Sequence, residues 1–125
     1  MRVVYDSGAL IAAERDDRAV WAEHRVQLQW GVVPLTTAPV VAQVSRSGRQ
    51  ALLRRFLSGC AIVALTEDQA HAVGRLLAAT GGADVVDAHV ALVAGEAGAS
   101  VLTSDVDDLV ALAARLPSPV AVRRI

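Results

Sequence analysis

Four aspartates stand where strands should hand over to helices. Asp6 ends the apolar run Val3-Val4-Tyr5, and Asp105 follows Ser100-Val101-Leu102-Thr103-Ser104. Asp84 and Asp87 open the apolar stretch from Val85 to Leu92. In an open parallel sheet such junctions line one edge, where ligand sites form. Carboxylates that meet there repel one another unless a cation joins them. The ion they suit is hard and oxygen-seeking, Mg²⁺ or Mn²⁺, and that points to phosphoryl chemistry.

Each acid also has a structural reading. Asp is a favoured helix N-cap, and Asp84-x-x-Asp87 and Asp105-x-x-Asp108 both look like capping patterns. Acids near a helix N-terminus also gain from the macrodipole. Capping alone does not explain why aspartate recurs where Ser, Thr or Asn serves as well. Asp6 is not needed as a cap, because Ser7 follows it. Asp84 and Asp87 are three residues apart and share a helix face. Asp107 falls on another face of its helix and is expected in solvent.

The elements that must position these acids follow from the pattern of apolar residues. Strands are expected over 2–5, 32–35, 61–65, 100–102 and 120–123. Helices are expected over 7–14, 16–30, 37–48, 49–57, 67–80, 84–94 and 105–116. Thr66 and Gln69 make a capping box for the helix that ends before Gly81-Gly82, a turn. Pro39 fits the first turn of its helix, and Pro117-Ser118-Pro119 stops the last long one. Strands alternating with helices imply right-handed crossovers. The expected fold is therefore α/β, a parallel sheet of four to five strands with helices on both faces.

Composition agrees. The 125 residues suit one domain, spanning 1–125. Apolar residues make up 54% and aromatics 3%, so Ala, Val and Leu must build the core. No apolar run approaches the about 18 residues of a membrane span, and the early charges at Arg2 and Asp6 do not suit a signal peptide. A cytoplasmic protein without membrane contact is expected. Cys60 is the only cysteine and reads as a small buried hydrophobe. His24, His71 and His89 lack metal-ligand spacing and read as solvated or partner-facing. There is no phosphate-binding glycine loop and no nucleophile elbow.

The net charge of -1 does not decide for or against nucleic acid, but its distribution is informative. All 12 basic residues are arginine. Arg46, Arg49, Arg54 and Arg55 cluster. Arginine grips phosphate bidentately, so Arg46 and Arg49 are candidate RNA contacts; a solvated helix face or a protein-partner surface is the other reading.

These residues resemble a PIN domain, specifically the VapC-type toxins of bacterial toxin–antitoxin pairs. The marks are Val4-Tyr5-Asp6-Ser7-Gly8-Ala9-Leu10-Ile11, Asp84-Val85-Val86-Asp87-Ala88-His89-Val90-Ala91 and Val101-Leu102-Thr103-Ser104-Asp105. The resemblance implies a metal-dependent endoribonuclease using Mg²⁺ or Mn²⁺, an RNA substrate, a homodimer and a small VapB-type antitoxin. It places Asp6, Asp87 and Asp105 as metal-holding acids, with Thr103 as a hydroxyl beside the last. The departure is Gln43, where the family pattern has glutamate. Glutamine keeps a carbonyl acceptor but loses the charge. Asp84 or Asp108 is then the candidate for supplying it. The alternative reading is a catalytically weak PIN scaffold that binds antitoxin and its own copy. A phosphatase is disfavoured: Asp6-Ser7-Gly8 has no acid two residues on, and the chain has no lysine.

Overall fold

The computed structural model describes residues 2–125. Five short strands form one parallel sheet in the order β3-β2-β1-β4-β5. They are β1 (Val3–Tyr5), β2 (Leu35–Thr37), β3 (Ala61–Val63), β4 (Ser100–Thr103) and β5 (Val122–Arg124). Between them run α1 (Ser7–Glu14), α2 (Arg18–Gln29), α3 (Ala38–Val44), α4 (Ala51–Ser58), α5 (Glu67–Thr80), α6 (Val85–Ala97) and α7 (Val106–Ala113). Helix α1 packs with α2, α3 and α4, whereas α5, α6 and α7 pack with one another. The α/β order and parallel sheet match the sequence expectation.

The central strands explain themselves. β1 and β4 are buried along their whole length and pair in register, Val4 opposite Val101 and Tyr5 opposite Leu102. Small residues such as Ala9, Ala13, Ala88, Ala91 and Ala94 are buried, which lets helices lie close to the sheet. The scarce aromatics are concentrated. Tyr5, Trp21 and Phe56 gather around His24, whose ring stacks on Phe56 at 3.9 Å between centroids.

Several boundaries differ from the sequence reading. β2 begins at Leu35 rather than 32, because Pro34 has no N–H for a ladder and the β-branched pair Thr36-Thr37 takes the buried strand positions. Thr37 then caps α3 by accepting from the Val40 N–H at 3.2 Å. Helix α3 stops at Val44, short of 48, and α4 starts at Ala51. The cause is Gln50. Its Oε1 accepts from the N–H groups of Arg46 and Ser47, and its Nε2 donates to Val44 O and Glu14 Oε1, which ties residues 45–49 into a loop. Helix α2 starts at Arg18 because Asp17 caps it, α7 is shorter than read, ending at Ala113 rather than 116, and β5 begins at Val122 rather than 120.

The histidine reading also needs correction. His24 and His89 are buried; only His71 is exposed, 3.3 Å from Glu67. Helix α6 is buried over most of its length, from Asp87 to Ala94, with Val85 and Glu96 exposed at its ends, so the face that carries His89 does not reach solvent. His89 Nε2 lies 3.0 Å from Gln69 Oε1 on α5, and burial lowers its pKa. Cys60 is half-buried, and burial pushes its thiol up to about 12, so it is unreactive as a thiolate. Among the described residues, no single helix is long and apolar enough to cross a membrane.

Candidate metal centre

The acids collect at the carboxyl ends of β1 and β4. From β1 the chain runs to β2 and β3 on one side, and β4 and β5 lie on the other. The gap between β1 and β4 is therefore the switch point of the sheet, where crossovers diverge and leave a crevice.

Asp6 is 2% exposed and fixed on both oxygens. Its Oδ1 accepts from the Ser7 N–H at 2.8 Å, and its Oδ2 accepts from the Thr103 hydroxyl at 2.7 Å. Asp6, and not Ser7, occupies the N-cap position of α1, because the helix already includes Ser7. The Thr103 Oγ1 in turn accepts from the Asp105 N–H at 2.9 Å. One buried hydroxyl thus joins the first and last of the expected acids across the β1–β4 seam.

Asp84 is the N-cap of α6, accepting from the Asp87 N–H at 3.0 Å, and is exposed. Asp105 stands at the start of α7 but makes no side-chain cap bond, so its carboxylate is not consumed by the helix. Asp108 is exposed one turn further on, and one oxygen each from Asp87, Asp105 and Asp108 lies within 4.8 Å of the others. Asp107 is exposed, as expected.

The electrostatics follow from this crowding. Burial first, then the charges of Asp6, Asp84, Asp105 and Asp108, push the Asp87 carboxyl up to about 7. Asp105 is held above the usual carboxylate range, chiefly by the neighbouring charge of Asp108. Among the described residues, no arginine or histidine forms an ion pair with any of these five aspartates. Asp87 is only 7% exposed, and its carboxylate accepts no hydrogen bond among the described residues. A buried, unpaired carboxylate in an all-oxygen donor set fits a hard divalent cation such as Mg²⁺ or Mn²⁺.

A cleft of about 310 Å³ adjoins the acids, lined by Leu77, Thr80, Gly82, Asp84, Asp87 and Asp108 among others. Gly81-Gly82 is the turn that the sequence indicates, with Gly81 in the left-handed region at φ 72°, and it also walls this cleft. Leu77 and Thr80 carried no signal in the sequence; their nearness to Asp84 across a two-glycine turn was the available hint. Gln43 is exposed on α3 and does not line the cleft. Arg46 and Arg49 are exposed and do not line it either; Arg46 closes the end of α3 by donating to Ala42 O and Ser45 O at 2.9 and 3.0 Å.

The PIN domain family model matches residues 3–114. The chain belongs to the PIN domain family. Solved structures agree on the fold. The structure of VapBC2 from Rickettsia felis, bound to a DNA fragment from its promoter, superposes with a TM-score of 0.71 at 16% identity, covering 100% of this chain and 99% of that one. PAE2754 from Pyrobaculum aerophilum superposes with a TM-score of 0.61 at 16% identity, covering 97% and 89%. No curated protein matches the sequence. In this PIN domain the five aspartates occupy the crevice at the switch point of the sheet.

Proposed function

We propose that this PIN domain is a VapC-type toxin that cleaves RNA phosphodiester bonds with Mg²⁺ or Mn²⁺, and that a small VapB-type antitoxin controls it. The observation that carries this reading is the convergence of Asp6, Asp87 and Asp105 on one crevice with no cationic partner among the described residues. Family membership and the likeness to a toxin–antitoxin complex support it.

Asp6, Asp87 and Asp105 are the residues to hold the ion. A bound divalent cation supplies charge neutralisation on the phosphate and makes nearby water more acidic. The chain's own residues do the rest. Thr103 holds Asp6 in one rotamer and anchors the start of α7, so two acids keep a fixed separation. Burial and the neighbouring acids push the Asp87 carboxyl up to about 7 in the metal-free protein, and a bound cation would lower it again and keep Asp87 ionised as a ligand. Asp84 fixes the first turn of α6 and with it the Asp87 backbone. The adjoining cleft is the place for the nucleotide next to the scissile bond. Arg46 and Arg49 are assigned to the RNA backbone, which makes binding weaken with salt. A homodimer and an antitoxin arginine paired with the carboxylates complete the proposal.

One observation favours a second reading. Gln43 is neutral and exposed, so the usual glutamate charge is missing from α3. On that reading the chain is a scaffold that binds antitoxin and its own copy while cutting weakly. The test is incubation of antitoxin-free protein with total cellular RNA and Mn²⁺ or Mg²⁺, with Asp87→Ala and Gln43→Glu alongside. Metal-dependent cleavage lost in Asp87→Ala supports the nuclease. Cleavage only by Gln43→Glu supports the scaffold.

A further inference from the structure

We propose that single-stranded RNA leaves the acidic crevice along the groove between α1 and the β4–β5 edge of the sheet, where Arg15 and Arg124 hold its phosphates. The inference rests on the nuclease reading for what the RNA does there, but not for its binding.

The starting point is charge. Clustered aspartates repel a phosphate chain, so a strand that crosses them needs cations close by. The cleft beside Asp84, Asp87 and Asp108 offers none, because no arginine lines it. Arg46 and Arg49 line neither that cleft nor the depressions on the other flank.

The other flank has a built groove. Helix α1 turns Gly8, Ile11, Ala12 and Arg15 towards it, positions three and four apart that fall on one helix face. Ser104, the neighbour of Asp105, and Ile125 form the opposite wall of a depression of about 430 Å³. It opens directly beside the acids. Gly8 stands two residues after Asp6, and a Cβ there would collide with Ser104 Oγ. At about 1.5 Å per residue, α1 rises about 10 Å from Gly8 to Arg15, or roughly three stacked nucleotides at about 3.4 Å each. A second depression, of about 190 Å³, shares Asp17 and Ile125 with the first and reaches Arg123 and Arg124. In the sheet Arg124 pairs with Thr103, whose hydroxyl donates to Asp6.

The charges in this groove are already sorted. Asp17 is committed to α2, its Oδ1 accepting from the Val20 N–H at 3.0 Å. Glu23 is paired with Arg123 at 2.7 Å. Arg15 and Arg124 are exposed, and among the described residues their side chains have no ion pair. Both acids are engaged and two guanidinium groups are free, a charge that suits a phosphate chain. Ile11, Ala12 and Ile125 give the ribose and base an apolar wall. No aromatic residue lines either depression, so the grip falls on the backbone rather than on stacked bases.

The test is RNA binding by the full chain, freed of any antitoxin, followed by fluorescence anisotropy of a short labelled single-stranded RNA in EDTA over a range of KCl. Arg15→Gln, Arg15→Lys and Arg124→Gln are compared with Arg75→Gln, an exposed arginine on α5 that lines neither flank. Circular dichroism checks that each is folded. Arg15→Gln and Arg124→Gln should each weaken binding about tenfold, the loss of one charge-assisted contact. Each should also lower the slope of log affinity against log salt by about 0.7, one phosphate of a single strand. Arg15→Lys should keep the slope, because the charge stays, and lose affinity with the bidentate grip. Arg75→Gln should stay within about twofold of the parent, its charge being screened at that distance. The proposal is overturned if either glutamine variant at position 15 or 124 behaves like Arg75→Gln in affinity and slope, or if the parent binds no RNA. Binding that needs Arg15 and Arg124, with no metal-dependent cleavage, keeps the groove and removes the nuclease. Cleavage indifferent to both arginines keeps the nuclease and removes the groove.

Discussion

Replacing Asp87 with asparagine should stabilise the metal-free protein, and the gain should grow with pH. Asp87 has a carboxyl pushed from 3.8 up to about 7 by burial and by the charges around it. A raised carboxyl pKa means that the folded state prefers the neutral acid. That preference contributes stability fully present below pH 3.8, and the contribution is lost as pH rises through about 7. At about 1.4 kcal/mol per unit, the loss by pH 8 is at most about 4 kcal/mol. Solvent and counter-ions in the crevice reduce it. Asparagine keeps the shape and removes the charge, so Asp87→Asn should unfold at higher urea than the parent at pH 8 in EDTA, and with a much smaller difference, on the order of 1 kcal/mol, at pH 4.5. Adding Mg²⁺ should reverse the order at pH 8, because binding to the native state stabilises only the protein that has the site. Equal stability of variant and parent at pH 8 would show that Asp87 carries no repulsive load. A gain independent of pH would assign the effect to packing instead.

Two further perturbations test the frame around the acids. Thr103→Val keeps the shape but removes the hydroxyl that donates to Asp6 Oδ2 and accepts from the Asp105 N–H; it should lower stability by about 1–3 kcal/mol in urea unfolding and reduce Mn²⁺ binding, and unchanged values for both would remove Thr103 from the site. Gly8→Ala places a methyl against Ser104 Oγ, 2.9 Å from Ser104 Cβ and 3.0 Å from Ile125 Cδ1; it should cost about 1–3 kcal/mol, visible as a lower melting temperature, whereas an unshifted melting temperature would mean the 104–105 turn yields freely.

The legible part of the chain is the part whose signals are local. The order of strands and helices follows from apolar runs, from the Thr66/Gln69 capping box, which forms as read, and from the break at Gly81-Gly82; the end of α6 at Ala97, with Gly98 as its left-handed cap, was not read. Asp6, Asp87 and Asp105 stood out because each follows or opens an element, although Ser7 does not spare Asp6 from capping, since Asp6 is itself the N-cap of α1. What was hidden depends on tertiary contact. The burial of His89 comes from α5 covering the face that helical spacing alone would leave to solvent. The start of α4 is moved by Gln50, whose partners Glu14 and Val44 lie on other helices. The capping pattern Asp105-x-x-Asp108 promised a bond that does not form. The spacing alone does not show that the Asp105 carboxylate takes up no backbone N–H of the helix.

The position of the site follows from the topology more than from any single residue. Asp6 and Thr103 are 97 residues apart in sequence, yet they meet because β1 and β4 are neighbours. Helix α6 leads into β4, and α7 leaves it, so Asp87, Asp105 and Asp108 all arrive from the β4 side of the seam. Gln43 belongs to the helix that leaves β2, on the other side of β1. The acids are therefore crowded on the β4 side of the seam. Like charges held together at that flank raise the cost of an empty site, and a cation there lowers it. In this PIN domain the carboxylates therefore gather beside α6 and α7, next to the buried Asp6, and α3 adds none.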